Sequence, residues 1–160
     1  MDLQRLLGAL ADRGATLATA ESLTGGRLAG AVTAVPGASR VYLGGVVAYA
    51  TAVKQTLLGV SGELVESHGV VSAECARAMA EGARAALGAT YAVSTTGVAG
   101  PDPQEGKPPG TVYLAVAGPA GTTVAALELV GDRGAIQDRT CEEAVSAIGG
   151  MVHQEEPGLG

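Results

Sequence analysis

Lys54 is one of only two lysines in the chain, and it closes the apolar stretch "GGVVAYATAVK" that begins at Gly44. The stretch predicts a strand followed by a helix from Thr51 to Leu58, which places Lys54 in the first helical turn. A cation is unfavourable there because the N-terminus of a helix carries partial positive charge. Apolar surroundings would lower the pKa of the amine further, and a neutral amine can act as a general base. The alternative is a surface lysine whose methylene stem covers apolar neighbours.

Several hydroxyl groups and one guanidinium are candidate partners of this lysine. Tyr49 lies five residues before it, close enough to share a pocket, and is otherwise a core tyrosine. Thr51 is expected to cap the helix with its hydroxyl. The run Ser94–Thr96 puts three hydroxyls at the end of a predicted strand, where they either enter a site or cap a turn. Arg133 begins the last predicted helix, either as a phosphate clamp or in a surface ion pair.

Three glycine-containing turns, "ESLTGGR", "VPGAS" and "TTGVAGP", fall at or near the ends of predicted strands. In open α/β sheets such turns gather beyond the carboxyl ends of strands, where ligands bind. Backbone amides near Gly25 and Gly26, at a helix start, would suit a phosphate. The alternative, without a function, is that Gly25, Gly26, Gly97 and Gly100 only permit tight turns. The segment "ESLTGG" is neither a Walker A loop nor a GxGxxG fingerprint.

The composition restricts the classes of partner. The chain has 160 residues, a net charge of −6 and no basic cluster, which argues against nucleic acid or an anionic membrane as the main partner. No stretch approaches the ~18–20 apolar residues of a membrane helix, so we expect a cytoplasmic protein with a small-molecule ligand. Cys75 and Cys141 lack zinc-site spacing and are expected to be reduced core residues. His68 is predicted to lie in a loop, and no metal site is expected.

The elements that would position these residues alternate between helix and strand. Helices are predicted at 3–13, 27–35, 51–58, 73–88 and 132–151, and strands at 15–20, 40–50, 90–97, 111–118 and 122–130. Single strands early and a hairpin late predict one α/β domain, residues 1–152, with a mixed sheet covered on both faces. Residues 153–160 are predicted to form a disordered tail.

Seven segments, in order, resemble the CinA C-terminal domain family: "TAESLTGG", "VPGAS", "GGVVAYATAVK", "GVVS", "STTGVAGP", "KPPGTVYLAVA" and "GDR". The resemblance runs from about Leu3 to Met151. It implies a three-layer α/β/α sandwich that is commonly a homodimer. The implied activity is that of a nicotinamide-nucleotide amidohydrolase, which hydrolyses nicotinamide mononucleotide to nicotinic acid mononucleotide and ammonia without a metal or cofactor.

The same resemblance assigns roles to individual residues. Ser39 matches the family's nucleophile and Lys54 its general base, with Tyr49 and Thr96 as supporting polar residues. In the expected mechanism, neutral Lys54 takes the Ser39 proton, and amides of a glycine turn hold the oxyanion. The expected substrate-binding residues, from the resemblance and the glycine turns together, are Glu21, Ser22, Thr24, Gly25, Gly26, Gly97, Gly100 and Arg133.

One departure from the family pattern follows "GDR". The family usually carries a second arginine four residues after the first, whereas this chain has Gln137 there. Arg139, two residues later, lies on a different helical face. The family's second arginine is expected to close over the substrate, and its absence leaves an alternative to the amidohydrolase. In that alternative the chain is a catalytically impaired nucleotide-binding module with an interaction role related to competence or DNA damage.

Overall fold

The computed structural model describes residues 1–155, and within them five strands form one mixed sheet. The strands are β1 (Leu17–Glu21), β2 (Tyr42–Val47), β3 (Tyr91–Gly97), β4 (Thr111–Gly118) and β5 (Gly121–Glu128). Their order across the sheet is β2-β1-β3-β4-β5. β1 pairs in parallel with β2 and β3, whereas β4 pairs antiparallel with β3 and β5. The predicted mixed sheet with a late hairpin is confirmed.

Within the same residues, six α-helices and one 3-10 turn complete the fold. They are α1 (Leu3–Asp12), α2 (Arg27–Thr33), the 3-10 turn (Ala38–Arg40), α3 (Thr51–Leu58), α4 (Gly62–His68), α5 (Ala73–Leu87) and α6 (Arg133–Gln154). α1, α2 and α6 share one apolar cluster on the sheet, which includes Leu10, Val32 and Ile136. α3, α4 and α5 share another, around Leu58 and Met79. The helices therefore cover both faces, as the three-layer prediction requires.

Short polar side chains fix three of the helix starts. Asp2, Ser72 and Asp132 each accept a hydrogen bond from the backbone amide three residues on, at 2.8, 3.1 and 2.9 Å. Each bond satisfies one amide that the helix itself cannot pair. Thr51 is different, because it is the first helical residue of α3; the N-cap is Ala50, and no side chain caps this helix. The predicted capping role of Thr51 is wrong.

Helix α4 has no counterpart among the predicted elements. The Ser61 hydroxyl accepts from the Leu64 amide at 3.1 Å, and Glu63 lies in the first turn. Both are ordinary start signals, but the helix is short and buries no residue fully, so it lacks a clear apolar period. His68 ends this helix instead of lying in a loop.

α6 continues past its predicted end at Met151 as far as Gln154. The first two residues of the predicted tail are thus helical, and the part of that tail after Glu155 lies outside the described residues. Neither α6 nor any other helix in residues 1–155 is long and apolar enough to cross a bilayer.

The carboxyl ends of the three parallel strands meet at one edge of the sheet. β1 leads directly to Ser22, β2 leads to α3 and Lys54, and β3 ends at Gly97. The loop 98–110 lies at the same edge, because β4 begins there with Val112 paired to Gly97. This edge is where ligands bind in open α/β sheets.

Candidate active site

Lys54 is buried at this edge, with 1% of its surface exposed. Its Nζ atom donates to the Ser22 hydroxyl at 2.9 Å and to the backbone carbonyls of Ala48 and Tyr49 at 2.8 and 3.1 Å. An ammonium group has three protons, and each has an acceptor here. The alternative of a surface lysine is therefore wrong.

Burial lowers the pKa of Lys54 below the usual lysine value, because the charged form loses its hydration. The negative charges of Cys75, when ionised, and of Glu105 oppose this shift to a smaller extent. The position of Lys54 in the first turn of α3 acts in the same direction as burial, since the helix N-terminus repels a cation. Both effects make the neutral amine easier to form than it is for an exposed lysine.

Ser22 reaches Lys54 because the chain turns immediately after β1. The Ser22 amide donates to the Thr95 carbonyl at 3.0 Å, and the Gly25 amide donates back to the Ser22 carbonyl at 3.1 Å. Gly25 and Gly26 have φ angles of 56° and 101°, in the left-handed region that favours glycine. The turn therefore holds the backbone of Ser22 while its hydroxyl faces the cavity.

Glu21 and Thr24 stabilise this turn and do not line the cavity. The Glu21 carboxylate, 1% exposed, accepts from the Thr24 hydroxyl at 2.7 Å and from the amides of Leu28 and Ala29 at 2.8 and 3.1 Å. Thr24 also bonds the Thr95 hydroxyl at 2.8 Å. The expectation that Glu21 and Thr24 bind substrate is corrected, because their polar atoms are already used within the protein.

The expected phosphate site at Gly25 and Gly26 has several of its amides bonded within the protein. The Gly25 amide is bonded to Ser22, and the first-turn amides of α2 are occupied by the Glu21 carboxylate. A second anion at this helix start would face that carboxylate directly. Neither glycine borders the cavity.

A cavity of about 420 Å³ opens beside the Ser22–Lys54 pair. Its walls come from the turn after β1, the start of α3, the end of β3 and the loop 98–110. The residues that line it include Ser22, Tyr49, Lys54, Thr96, Gly97, Gly100 and Arg133. Of the predicted site residues, these seven are brought together by the fold.

Arg133 spans the mouth of this cavity. Its guanidinium donates to the Gly100 carbonyl at 2.6 Å and to the Tyr49 hydroxyl at 3.1 Å. Thr96, at the end of β3, donates its hydroxyl to the Val70 carbonyl at 2.6 Å. Arg133 and Tyr49 thus present polar atoms at the mouth, whereas Thr96 ties β3 to the opposite wall.

Ser39 does not meet Lys54. It lies in the exposed 3-10 turn before β2, in a separate surface depression with Thr33 and Tyr42. β2 runs away from this turn for six residues, roughly 16 Å of strand, before the chain approaches Lys54. The predicted contact between Ser39 and Lys54 is wrong for this chain, and Ser22 stands in the place expected for Ser39.

The loop 98–110 is attached to the opposite wall by a residue that the sequence analysis did not select. The Glu105 carboxylate accepts from the amides of Val70 and Val71 at 3.0 and 2.8 Å. Lys107 donates to the Val71 carbonyl and lies over the Tyr113 ring. We refer to the contacts of Glu105 with Val70 and Val71 as the Glu105 latch. No local signal in "PDPQEGKPPG" indicates which residue would reach that wall.

The two cysteines are free thiols, Cys75 fully buried and Cys141 partly so. Burial raises the pKa of Cys75 to about 11 and that of Cys141 to about 12. Both thiols therefore stay protonated near neutral pH, and neither is activated as a nucleophile.

A comparison with protein families matches residues 3–152 to the CinA C-terminal domain. A "CinA-like protein" of Frankia casuarinae is 51% identical over 147 residues, which cover 92% of this chain and 34% of that protein. A "putative competence-damage inducible protein" of Geobacillus kaustophilus is 50% identical over 139 residues, covering 86% of this chain and 34% of that protein. The chain thus spans about a third of the length of these curated relatives.

Solved structures with the same fold carry related names. The competence damage-inducible protein A of Klebsiella pneumoniae superposes with a TM-score of 0.91 and 31% identity, over 98% of this chain and 100% of that one. A competence-damaged protein superfamily member from Escherichia coli gives a TM-score of 0.89 and 30% identity, over 94% and 90% of the two chains.

Proposed function

The chain belongs to the CinA C-terminal domain family, and we propose that it is an amidohydrolase that converts nicotinamide mononucleotide and water into nicotinic acid mononucleotide and ammonia. The single observation that carries the proposal is the buried hydrogen bond of 2.9 Å between Lys54 Nζ and Ser22 Oγ. The pair supports acyl transfer, and the family resemblance supports the choice of substrate.

The two backbone carbonyls beside Lys54 fix the orientation of its amine when the amine is neutral. A neutral amine has two N–H groups and one lone pair, and the carbonyls of Ala48 and Tyr49 can only accept. When Lys54 loses a proton, these carbonyls retain its two N–H groups, so the lone pair faces the Ser22 hydroxyl. The arrangement therefore orients Lys54 to remove the proton of Ser22.

The reaction then proceeds in two balanced halves. The Ser22 proton passes to Lys54 while Oγ forms a bond to the carboxamide carbon. The protonated Lys54 gives that proton to the nitrogen, the C–N bond breaks and ammonia leaves. Water next loses a proton to Lys54 and attacks the acyl carbon; the bond to Oγ breaks, and the proton returns to Ser22. One lysine serves as base and acid in both halves.

The tetrahedral intermediate needs a donor for its oxyanion. The backbone amide of Leu23 directly follows the proposed nucleophile, and Leu23 borders the cavity. Within residues 1–155 this amide has no acceptor. Acyl-transfer enzymes with a serine on a tight strand-to-helix turn use the corresponding amide.

The rest of the nucleotide would occupy the cavity, whose volume is within the ordinary range for small ligands, about 300–1,000 Å³. Arg133 is the cation at its mouth and is our choice for the phosphate, since Gly25 and Gly26 do not line the cavity and the Leu28 and Ala29 amides are occupied by Glu21. The homodimer implied by the resemblance stays part of the proposal, and light scattering after size-exclusion chromatography would test it.

Ammonia release from nicotinamide mononucleotide by purified protein tests the function, with Lys54→Met as its matched variant. We expect release by the wild type and none by Lys54→Met, while the mononucleotide still raises the melting temperature of both. A silent wild type that is stabilised by the mononucleotide would instead indicate the nucleotide-binding module. No release and no stabilisation would overturn the choice of ligand.

A further inference from the structure

Gln137 is a buried polar side chain in the second turn of α6, with 9% of its surface exposed. Its Nε2 atom donates to the Leu23 carbonyl at 2.9 Å. Leu23 is the residue immediately after Ser22, so α6 reaches the turn that carries the proposed nucleophile. Arg139, in contrast, points outward and pairs with Glu142 and Glu143 at 3.4 and 2.8 Å.

The two peptide groups that flank Leu23 are held from different sides. The peptide between Ser22 and Leu23 is fixed by the Gly25 amide, which donates to the Ser22 carbonyl. The peptide between Leu23 and Thr24 is fixed by Gln137, which donates to the Leu23 carbonyl. Together these two hydrogen bonds hold the peptide groups on both sides of Leu23, and hence the course of the turn beside Ser22.

We propose that Gln137 is a positioning residue for Ser22 and for the Leu23 amide. The inference rests on the proposed function. Gln137 acts through the turn, and we assign it no contact with the substrate. A side chain of the same size without a donor would leave the buried Leu23 carbonyl unpaired, and that peptide group would rotate toward another donor. The Ser22 hydroxyl and the neighbouring amide would move with it, away from the geometry that acyl transfer requires.

The proposal also accounts for the departure from the family pattern at this position. A glutamine and an arginine both carry N–H donors, so either can bond the Leu23 carbonyl. What the site requires at position 137 is a donor on this face of α6, and a positive charge is not needed for that task. The replacement is then compatible with activity.

Four proteins test the inference: the wild type, Gln137→Leu, Gln137→Arg and the control Arg139→Gln. Gln137→Leu keeps the size but removes the donor, Gln137→Arg restores a donor, and Arg139→Gln changes an exposed residue of the same helix. We expect kcat for ammonia release to fall about 10- to 100-fold in Gln137→Leu with little change in KM. Gln137→Arg should retain most of the wild-type kcat, and Arg139→Gln should match the wild type.

A second readout does not depend on turnover of the mononucleotide. Phenylmethanesulfonyl fluoride modifies activated serines, and mass spectrometry gives the rate of modification at Ser22. We expect this rate to fall in Gln137→Leu as kcat does, and to remain high in Gln137→Arg and Arg139→Gln. A protein that is merely less stable would keep the labelling rate of its folded fraction.

The outcomes separate the two proposals. Labelling of Ser22 without ammonia release from the wild type would contradict the substrate, and the role of Gln137 would then be decided by the labelling rates. Equal rates in Gln137→Leu and the wild type would overturn the positioning role while leaving the amidohydrolase intact. If Ser22 is not labelled in the wild type, both the dyad and the positioning role fail.

Discussion

Lys54 and Ser22 are 32 positions apart in the chain, yet the lysine Nζ donates to the serine Oγ at 2.9 Å. β1 and β2 bring them together, because these neighbouring parallel strands end at the same edge of the sheet. The carbonyls that share the Lys54 amine come from Ala48 and Tyr49, just after β2, so the end of the strand and the start of α3 hold the amine together.

The pairing predicts different effects for two serines. Ser22→Ala should reduce kcat for ammonia release by about 10³-fold or more, because it removes the attacking oxygen. Ser39→Ala should retain kcat within about threefold, since Ser39 lies at the other end of β2 and its loss removes no atom of the proposed dyad. Steady-state kinetics with both purified variants would measure this.

The reverse result would be decisive against Ser22. If Ser39→Ala is silent and Ser22→Ala active, the nucleophile is Ser39, and the dyad would need an arrangement different from the one in this chain. Melting temperatures of both variants serve as the control for folding.

The pH dependence of turnover should follow Lys54. The base is the neutral amine, so kcat/KM should rise with pH as Lys54 loses its proton in the free enzyme. Burial lowers the pKa of Lys54 from 10.5, so the midpoint of this rise should lie below 10.5. Lys54→Arg, whose guanidinium stays protonated, should be inactive across the range. A midpoint at or above 10.5, or an active arginine variant, would contradict a lysine base.

The sequence was sufficient for the fold, and it left two alternatives for Lys54. Apolar periodicity and turn residues predict the sheet, its helices and the late hairpin, and the apolar stretch before Lys54 is compatible with a buried amine or with a surface lysine. These are local signals, since neighbours in sequence decide them. Helix α4 also has a local start signal, at Ser61, but none of its residues is fully buried, so the sequence of α4 lacks a clear apolar period.

The partner of Lys54 was not predictable from local sequence in the same way. Ser22, Ser39 and Thr51 are all hydroxyl residues at turns or helix starts, and only the order of the strands decides which one meets the amine. The roles of Glu21 and Gln137 likewise depend on long-range contacts, with α2 and with the turn after β1. A charged or amide side chain next to a cavity can therefore bond the protein backbone, as Glu21 and Gln137 do, while other residues line the cavity.

Arg133 should matter for the phosphate and little for the chemistry. Arg133→Met removes the cation at the cavity mouth, and we expect KM for nicotinamide mononucleotide to rise about tenfold, roughly 1.4 kcal/mol. The corresponding riboside lacks the phosphate, so its kcat/KM should change much less. Comparison of the two substrates in wild type and variant measures the difference. An equal loss for both substrates would mean that Arg133 supports the cavity wall through its bonds to Gly100 and Tyr49 and does not bind the phosphate.

The last prediction concerns the Glu105 latch. A Cβ atom on Gly69 would lie 2.5 Å from Glu105 Oε2, so only glycine leaves room for the carboxylate that holds Val70 and Val71. Gly69→Ala should therefore push Glu105 off these amides and loosen the loop 98–110 from the cavity wall. We expect a higher KM and a lower free energy of unfolding, with Glu105→Ala costing about 1 kcal/mol for the lost hydrogen bonds.

The Glu105→Ala background is the control for backbone strain. Gly69 has φ 74° and ψ 178°, a conformation that is essentially restricted to glycine, so Gly69→Ala carries a strain cost of its own. That strain is present with or without the Glu105 carboxylate, whereas the clash with the carboxylate is lost in Glu105→Ala. Gly69→Ala should therefore cost less in the Glu105→Ala background than in the wild type, as urea unfolding in a double-mutant cycle would measure. If Gly69→Ala costs as much there as in the wild type, its effect does not come from the latch, and the loop is held by other contacts.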